Sequence, residues 1–120
     1  MTYVPKFEEA MRKLNERAKT DPKIKKSLGD YKGRTLVLEV YGDATYVFSV
    51  SESGVSFEVN PAKLPDDMYA GMDRERAYKL IHKREVSKSD VIFGKIKRKN
   101  IKIEDVKFVK DLFEDVQKQS

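Results

Sequence analysis

Ser89–Phe113, SDVIFGKIKRKNIKIEDVKFVKDLF, passes from an apolar triplet through a glycine into an almost purely basic segment and then into a helical pattern. Acids Glu104 and Asp105 open that last pattern, where negative charge favours a helix N-terminus. On a wheel of 100° per residue, Val106, Phe108, Val109, Leu112, Phe113 and Val116 span an arc of about 160°, wider than the roughly 100° a surface helix needs. A helix resting on one sheet does not require so broad an apolar face, so it is expected to touch the sheet and a second surface. Two candidates for that surface remain open at this point. One is another part of the chain, either the segment around Tyr78, Leu80 and Ile81 or the Val91–Phe93 turn. The other is a ligand in an apolar cavity.

The basic segment breaks strand parity. In an extended chain Ile96 lies on one face and Ile101 and Ile103 on the other, which a bulge or a turn near Asn100 would reconcile. Further back, Asp73 is placed to cap a helix running to Lys83, and MYAGM, 68–72, reads as a short strand. Ser87 and Asp90 stand at capping-box separation, so Val91–Gly94 reads as one helical turn ended by its glycine.

Upstream, Phe7, Ala10, Met11, Leu14 and Ala18 recur at helical spacing behind Pro5. TDPKIKKSLG, 20–29, places Asp21 as cap, Pro22 in the first turn and Gly29 as the stop of a second helix, with Ile24 and Leu28 one turn apart. RTLVLEVYG, ATYVFSVS and GVSFEVN then alternate with period two around turn residues Gly42-Asp43 and Gly54. They predict an antiparallel meander, followed by a proline-punctuated loop, NPAKLPDD.

The 120 residues suit one domain, 1–120, with a single core. Apolar residues make up 39% and charged residues 38%, which excludes a disordered or membrane-spanning chain. The opening MTYVPKFEEA lacks the basic and apolar regions of a secretory signal, so a cytoplasmic location is expected. With no cysteine and His82 as the single histidine, thiol nucleophiles, disulfides and thiolate metal sites are excluded. His82, beside Lys83 and Arg84, is expected to face solvent. Asp66-Asp67 and Glu104-Asp105 gather no third metal ligand in sequence, and no phosphate cradle or nucleophile elbow is present. The chain is therefore expected to be non-enzymatic, with no metal and no cofactor.

The formal charge is +5, and most of the excess falls after Asn60. Lys95, Lys97, Arg98, Lys99 and Lys102 stand together without an intervening acid. On an edge strand they would discourage pairing with another chain. They would equally attract an anionic head group or membrane surface, at about 1 kcal/mol per residue. A basic stripe is also the footprint of nucleic-acid binding. That partner is disfavoured, because no aromatic-rich strand of the RNA-recognition type, zinc spacing or helix-turn-helix accompanies it.

The stretch GKIKRKNIKIEDVKFVKDLF resembles the GKLKIKGD ending of the sterol-carrier-protein type-two lipid-transfer domains, with Gly94, Lys95, Ile96 and Lys97 matching. The resemblance reaches back through Ile92-Phe93-Gly94, the Asp73–Lys83 helix, the Asp67–Met72 strand and the three meander strands, and so covers essentially the whole chain. Where the family has a glycine ending the third helix this chain has Lys83, and after the basic strand it has Asn100. The resemblance implies an α+β fold, a five-stranded mixed and largely antiparallel sheet with helices packed on one face. It also implies a tunnel under the last helix that binds, and in transfer passes on, fatty acyl, isoprenoid or sterol-like molecules. By position, Phe48, Val50 and Phe57 would form its floor, and Ile81, Ile92, Phe93, Phe108, Leu112 and Phe113 its walls and lid. About ten methylenes buried at roughly 0.8 kcal/mol each give a gross gain on the order of 8 kcal/mol. Losing translational freedom offsets several of these, so micromolar or weaker affinity is expected. The alternative is a basic nucleic-acid or protein-interaction module with a filled core. Oligomeric state is left open.

Overall fold

The computed structural model describes residues 2–119. The first helical signal forms α1 (Val4–Arg17), with proline in its first turn and Phe7, Ala10, Met11 and Leu14 buried. In α2 (Pro22–Tyr31) the Asp21 side chain accepts the Lys23 backbone N–H as expected. This helix does not stop at Gly29. It continues to Tyr31 and ends before Gly33, whose φ of 81° supplies the left-handed step.

The meander is β1 (Thr35–Val40), β2 (Ala44–Ser51) and β3 (Gly54–Val59), followed by β4 (Met68–Met72). After β4 come α3 (Arg74–Lys83), α4 (Lys88–Ile92), the three-residue β5 (Lys97–Lys99), α5 (Ile103–Asp111) and α6 (Glu114–Gln117). The sheet order is β3-β2-β1-β4-β5, with β1 and β4 parallel and the remaining pairs antiparallel. This is the five-stranded mixed sheet of an α+β fold. The parallel pair is bound at its start by Asp67, which takes Arg34 Nε and Nη2 at 2.9 and 2.8 Å and the Thr35 N–H at 2.9 Å. That fork is charge-assisted and geometrically selective.

Register sets the faces. Leu36 pairs with Phe48 and Met68, and Phe48 with Phe57, so one face carries Leu36, Leu38, Val40, Tyr46, Phe48, Val50, Met68, Ala70 and Met72. All of these join one buried cluster with α1, α3, α5 and α6, which places the helices on that face. Val37 and Val47 point to the other face, in register with Tyr69 and Glu58, and are buried apart from the main cluster.

Three left-handed positions lack glycine, the first being Asn60 after β3 at φ 49°. Arg84 ends α3 at φ 56°, and Asn100 turns the chain after β5 at φ 57°. Of the bulge and the turn that could reconcile the parity break, the chain takes the turn at Asn100, whose side-chain amide donates to the Asp67 carbonyl at 3.2 Å. Arg84 holds the unfavourable conformation with its backbone N–H on Leu80 O and its guanidinium on Asp111 at 2.5 Å. The long C-terminal helix of the sequence reading is two helices: the chain bends at Leu112-Phe113, and Phe113 has φ −102° and ψ 7°.

Candidate functional site: a cleft between α1, α2 and α5

The layer between the sheet and the C-terminal segment is occupied by aromatic rings. Phe7 lies 5.0 Å from Tyr46, 5.3 Å from Phe48 and 5.6 Å from Phe113, measured between ring centroids. Phe48 in turn lies 5.9 Å from Phe57 and 5.7 Å from Phe113. The tilted and edge-on geometries are those aromatic pairs prefer. The wide apolar face of the last helix thus meets the protein itself: the bend at Phe113 turns α6 against α1 and α3, while α5 turns toward α2. Phe108, Val109, Leu112, Phe113 and Val116 are all buried.

A cleft of about 340 Å³ opens beside this layer. Leu14 of α1, Ile24 and Leu28 of α2, and Phe108 and Leu112 of the C-terminal segment are its apolar lining, and Arg17, Asp21, Lys23, Ser27, Arg84, Lys107, Asp111 and Glu114 complete it with polar and charged groups. Its spacing follows from local sequence. Ile24 and Leu28 are one turn apart on α2, Phe108 and Leu112 are one turn apart across the end of α5, and each pair therefore presents one face to the gap. Tyr31 lies flat on Phe108 at 3.9 Å, joining the end of α2 to α5. The Tyr31 hydroxyl donates to Asp105 at 2.7 Å, and the same carboxylate accepts the Lys102 N–H at 2.9 Å. Burial opposes ionisation of Asp105, but the Lys102 N–H and the Tyr31 hydroxyl outweigh it and hold the carboxyl below its ordinary range.

Most charged groups at the cleft are paired. Arg17 binds the buried Asp115 at 2.5 Å and lies 3.5 Å from Glu114, while Asp111 receives Arg84 at 2.5 Å and Lys107 at 2.7 Å. Burial works against the Arg17 charge, yet its bond to Asp115 raises its pKa further. These pairs brace the cleft walls without leaving a dominant sign at the mouth. Five apolar side chains beside mostly paired charges suit a molecule with an apolar body and a polar end.

Of the residues expected at a ligand site, Phe108 and Leu112 line the cleft. Phe48, Val50, Ile81 and Phe113 are buried, and Phe57 packs half-buried against Phe7 and Phe48. Ile92 and Phe93 are not walls: each is 77% exposed. A single helical turn can bury one side, and here the half-buried Val91 and the buried Ile96 take the core positions. Leu14, Arg17, Ile24, Leu28 and Arg84 were not legible as site residues. The one available signal was the Ile24/Leu28 pair on an otherwise polar helix, and it could not say which element faced it.

Lys95, Lys97, Arg98, Lys99 and Lys102 are exposed, and β5 forms an edge of the sheet. They do not form one stripe. Lys97 and Lys99 pair with Gly71 and Tyr69 on the open face, whereas Arg98 pairs with Ala70 on the other side and donates to Ile101 O at 3.0 Å. Lys99 is bound to Asp66 at 3.1 Å. His82 does not face solvent freely either. It is half-buried, stacked on Tyr78 at 4.5 Å and lying 5.9 Å from Tyr3. Burial first, then Lys6, lowers its pKa. Among the described residues no helix is long and apolar enough to cross a membrane, and no cluster of three or more His, Asp or Glu could hold a metal ion.

This α+β fold, a five-stranded mixed sheet with helices on one face, matches that of sterol carrier protein 2 domains. A UbiJ-SCP2 ubiquinone synthesis protein superposes with a TM-score of 0.63 at 19% identity, over 90% of this chain and 95% of its own. A crystal structure of sterol carrier protein 2 gives 0.63 at 15% identity, covering 94% of each chain. The apo form of sterol carrier protein 2 from Yarrowia lipolytica gives 0.64 at 14% identity, over 92% of this chain and 88% of its own. By sequence, no family model and no curated protein matches the chain.

Proposed function

We propose that this protein is a non-catalytic carrier of an apolar, lipid-like molecule, an acyl or isoprenoid chain or a sterol-like body, held in the α1/α2/α5 cleft. The observation that carries the reading is the set of five apolar side chains, Leu14, Ile24, Leu28, Phe108 and Leu112, beside mostly paired charges in a cleft of about 340 Å³. Ligand pockets range over roughly 300–1,000 Å³, so this one suits a single flexible chain. The fold shared with sterol carrier protein 2 supports the same reading. The ligand is assigned to this cleft and not to a tunnel between sheet and C-terminal helix, because the Phe7, Phe48 and Phe113 rings fill that layer.

Native mass spectrometry of protein purified without detergent, with a fluorescent fatty-acid titration, tests the proposal. Co-purified acyl or isoprenoid species and saturable probe uptake at micromolar or weaker affinity are expected. Ile24→Trp, which fills the cleft from a half-buried position, should weaken uptake at least about tenfold while leaving thermal stability near the parent value. Absence of both co-purified ligand and probe uptake removes the carrier reading. Uptake indifferent to Ile24→Trp removes the cleft as its location.

A further inference from the structure

The α4 turn holds two large apolar side chains in water, and it does so through a specific backbone arrangement. The Asp90 carbonyl accepts two N–H groups, from Lys95 at 2.8 Å and Ile96 at 3.0 Å, and Phe93 N–H bonds Ser89 O at 2.9 Å. Gly94, at φ 75°, makes the reversal possible. Buried Ile96 anchors the returning chain, and Ile92 and Phe93 are left at the apex, each 77% exposed. A contiguous exposed apolar patch rimmed by polar residues is a feature of protein and membrane contact sites.

Charge identifies the partner. Lys88 lies one turn before Ile92 on α4, Lys95 follows Phe93 by two residues, and Lys97 begins β5. Among the described residues none of the three lysines has an ion-pair partner. The nearest carboxylates along the chain are Asp90, held by Arg76 Nε at 3.2 Å, and Glu85, which precedes the Ser87 cap. The apex is thus apolar and its immediate flanks are cationic. A hydrophobic wedge flanked by lysines fits the boundary between head groups and acyl chains of an anionic bilayer, where the two signals add.

We propose that the α4 turn is a membrane-contact tip, inserting Ile92 and Phe93 into an anionic phospholipid surface while Lys88, Lys95 and Lys97 lie at head-group level. The tip is separate from the cleft, so this proposal and the carrier reading stand or fall independently. The chain contains no tryptophan, so Phe93→Trp provides a single reporter at an exposed position. Its emission should shift to the blue with vesicles of mixed phosphatidylcholine and phosphatidylglycerol, and much less with phosphatidylcholine alone. In vesicle sedimentation, Ile92→Ser combined with Phe93→Ser should lower partitioning at least about tenfold. Neutralising Lys88, Lys95 and Lys97 to Gln should lower it about fivefold for each lysine removed. Circular dichroism should be unchanged in these surface variants. Emission unmoved by anionic vesicles overturns the proposal. So does a blue shift that follows protein concentration without vesicles and accompanies a doubled mass, which would reassign the tip to a second copy of the chain.

Discussion

Asn15 shows how one side chain can close a sheet edge. Its Nδ2 donates to Val55 O at 3.0 Å and its Oδ1 accepts the Val55 N–H at 2.7 Å, so the amide takes the place of a neighbouring strand on β3. Gly54 is what lets it approach, because a Cβ there would sit 2.3 Å from Asn15 Oδ1. Asn15→Ala should cost about 2 kcal/mol, from two part-buried hydrogen bonds lost together. Gly54→Ala should reproduce that loss by displacing the amide, and the double variant should be little worse than either, as urea denaturation would report. A cost confined to the usual few tenths of a surface substitution would contradict the clamp. In sequence Asn15 is one more polar residue on an amphipathic helix. Its partner lies 40 positions away, beyond the reach of any local pattern.

At the level of elements, α5 is held to α2 by Asp105. The carboxylate caps the helix through Lys102 N–H and receives Tyr31, whose ring stacks on Phe108. Asp105→Ala removes the cap and leaves the phenol without its acceptor, at a cost of about 2 kcal/mol. Burial and the Asp105 carboxylate push the Tyr31 phenol up to about 12. The folded protein therefore keeps this proton longer than the unfolded chain, whose tyrosines titrate near 10. The stability it contributes is present in full below about pH 10 and is lost as pH rises toward 12. Tyr3, Tyr46 and Tyr69 are also raised, so the alkaline loss should be shared among the four. Phenolate absorbance should show a late-titrating fraction in the native protein, and Asp105→Ala should move the Tyr31 component toward 10. The acids at the start of this helix were readable from sequence, because capping and dipole effects act within a turn. The dual use of Asp105 was not, since Tyr31 reaches it across 74 residues.

At the scale of the whole molecule, Phe113 decides between a filled layer and a guest-bearing one. It is fully buried, touching Phe7 of α1 and Phe48 of β2 from the bend between α5 and α6. Phe113→Ala should destabilise by about 4 kcal/mol, the cost of a large core cavity, measured by denaturant titration. If the residue were instead the lid of a ligand tunnel, the substitution would spare stability and increase fatty-acid uptake. The order of elements, the alternation that puts Phe48 and Val50 on one face of their strand, and a break in parity near Asn100 were present in the sequence, because strand alternation and turn chemistry are properties of neighbouring residues. So was the surplus of apolar residues on the last helix. Where that surplus went was a tertiary decision. A helical wheel assumes an unbroken axis, and the bend at Phe113 rotates the end of the helix so that its apolar face meets α1 and α3, while α5 meets α2. The same limit applies at Ile92 and Phe93: hydrophobicity marks them for burial, and only the return of the chain onto Asp90 sends them outward.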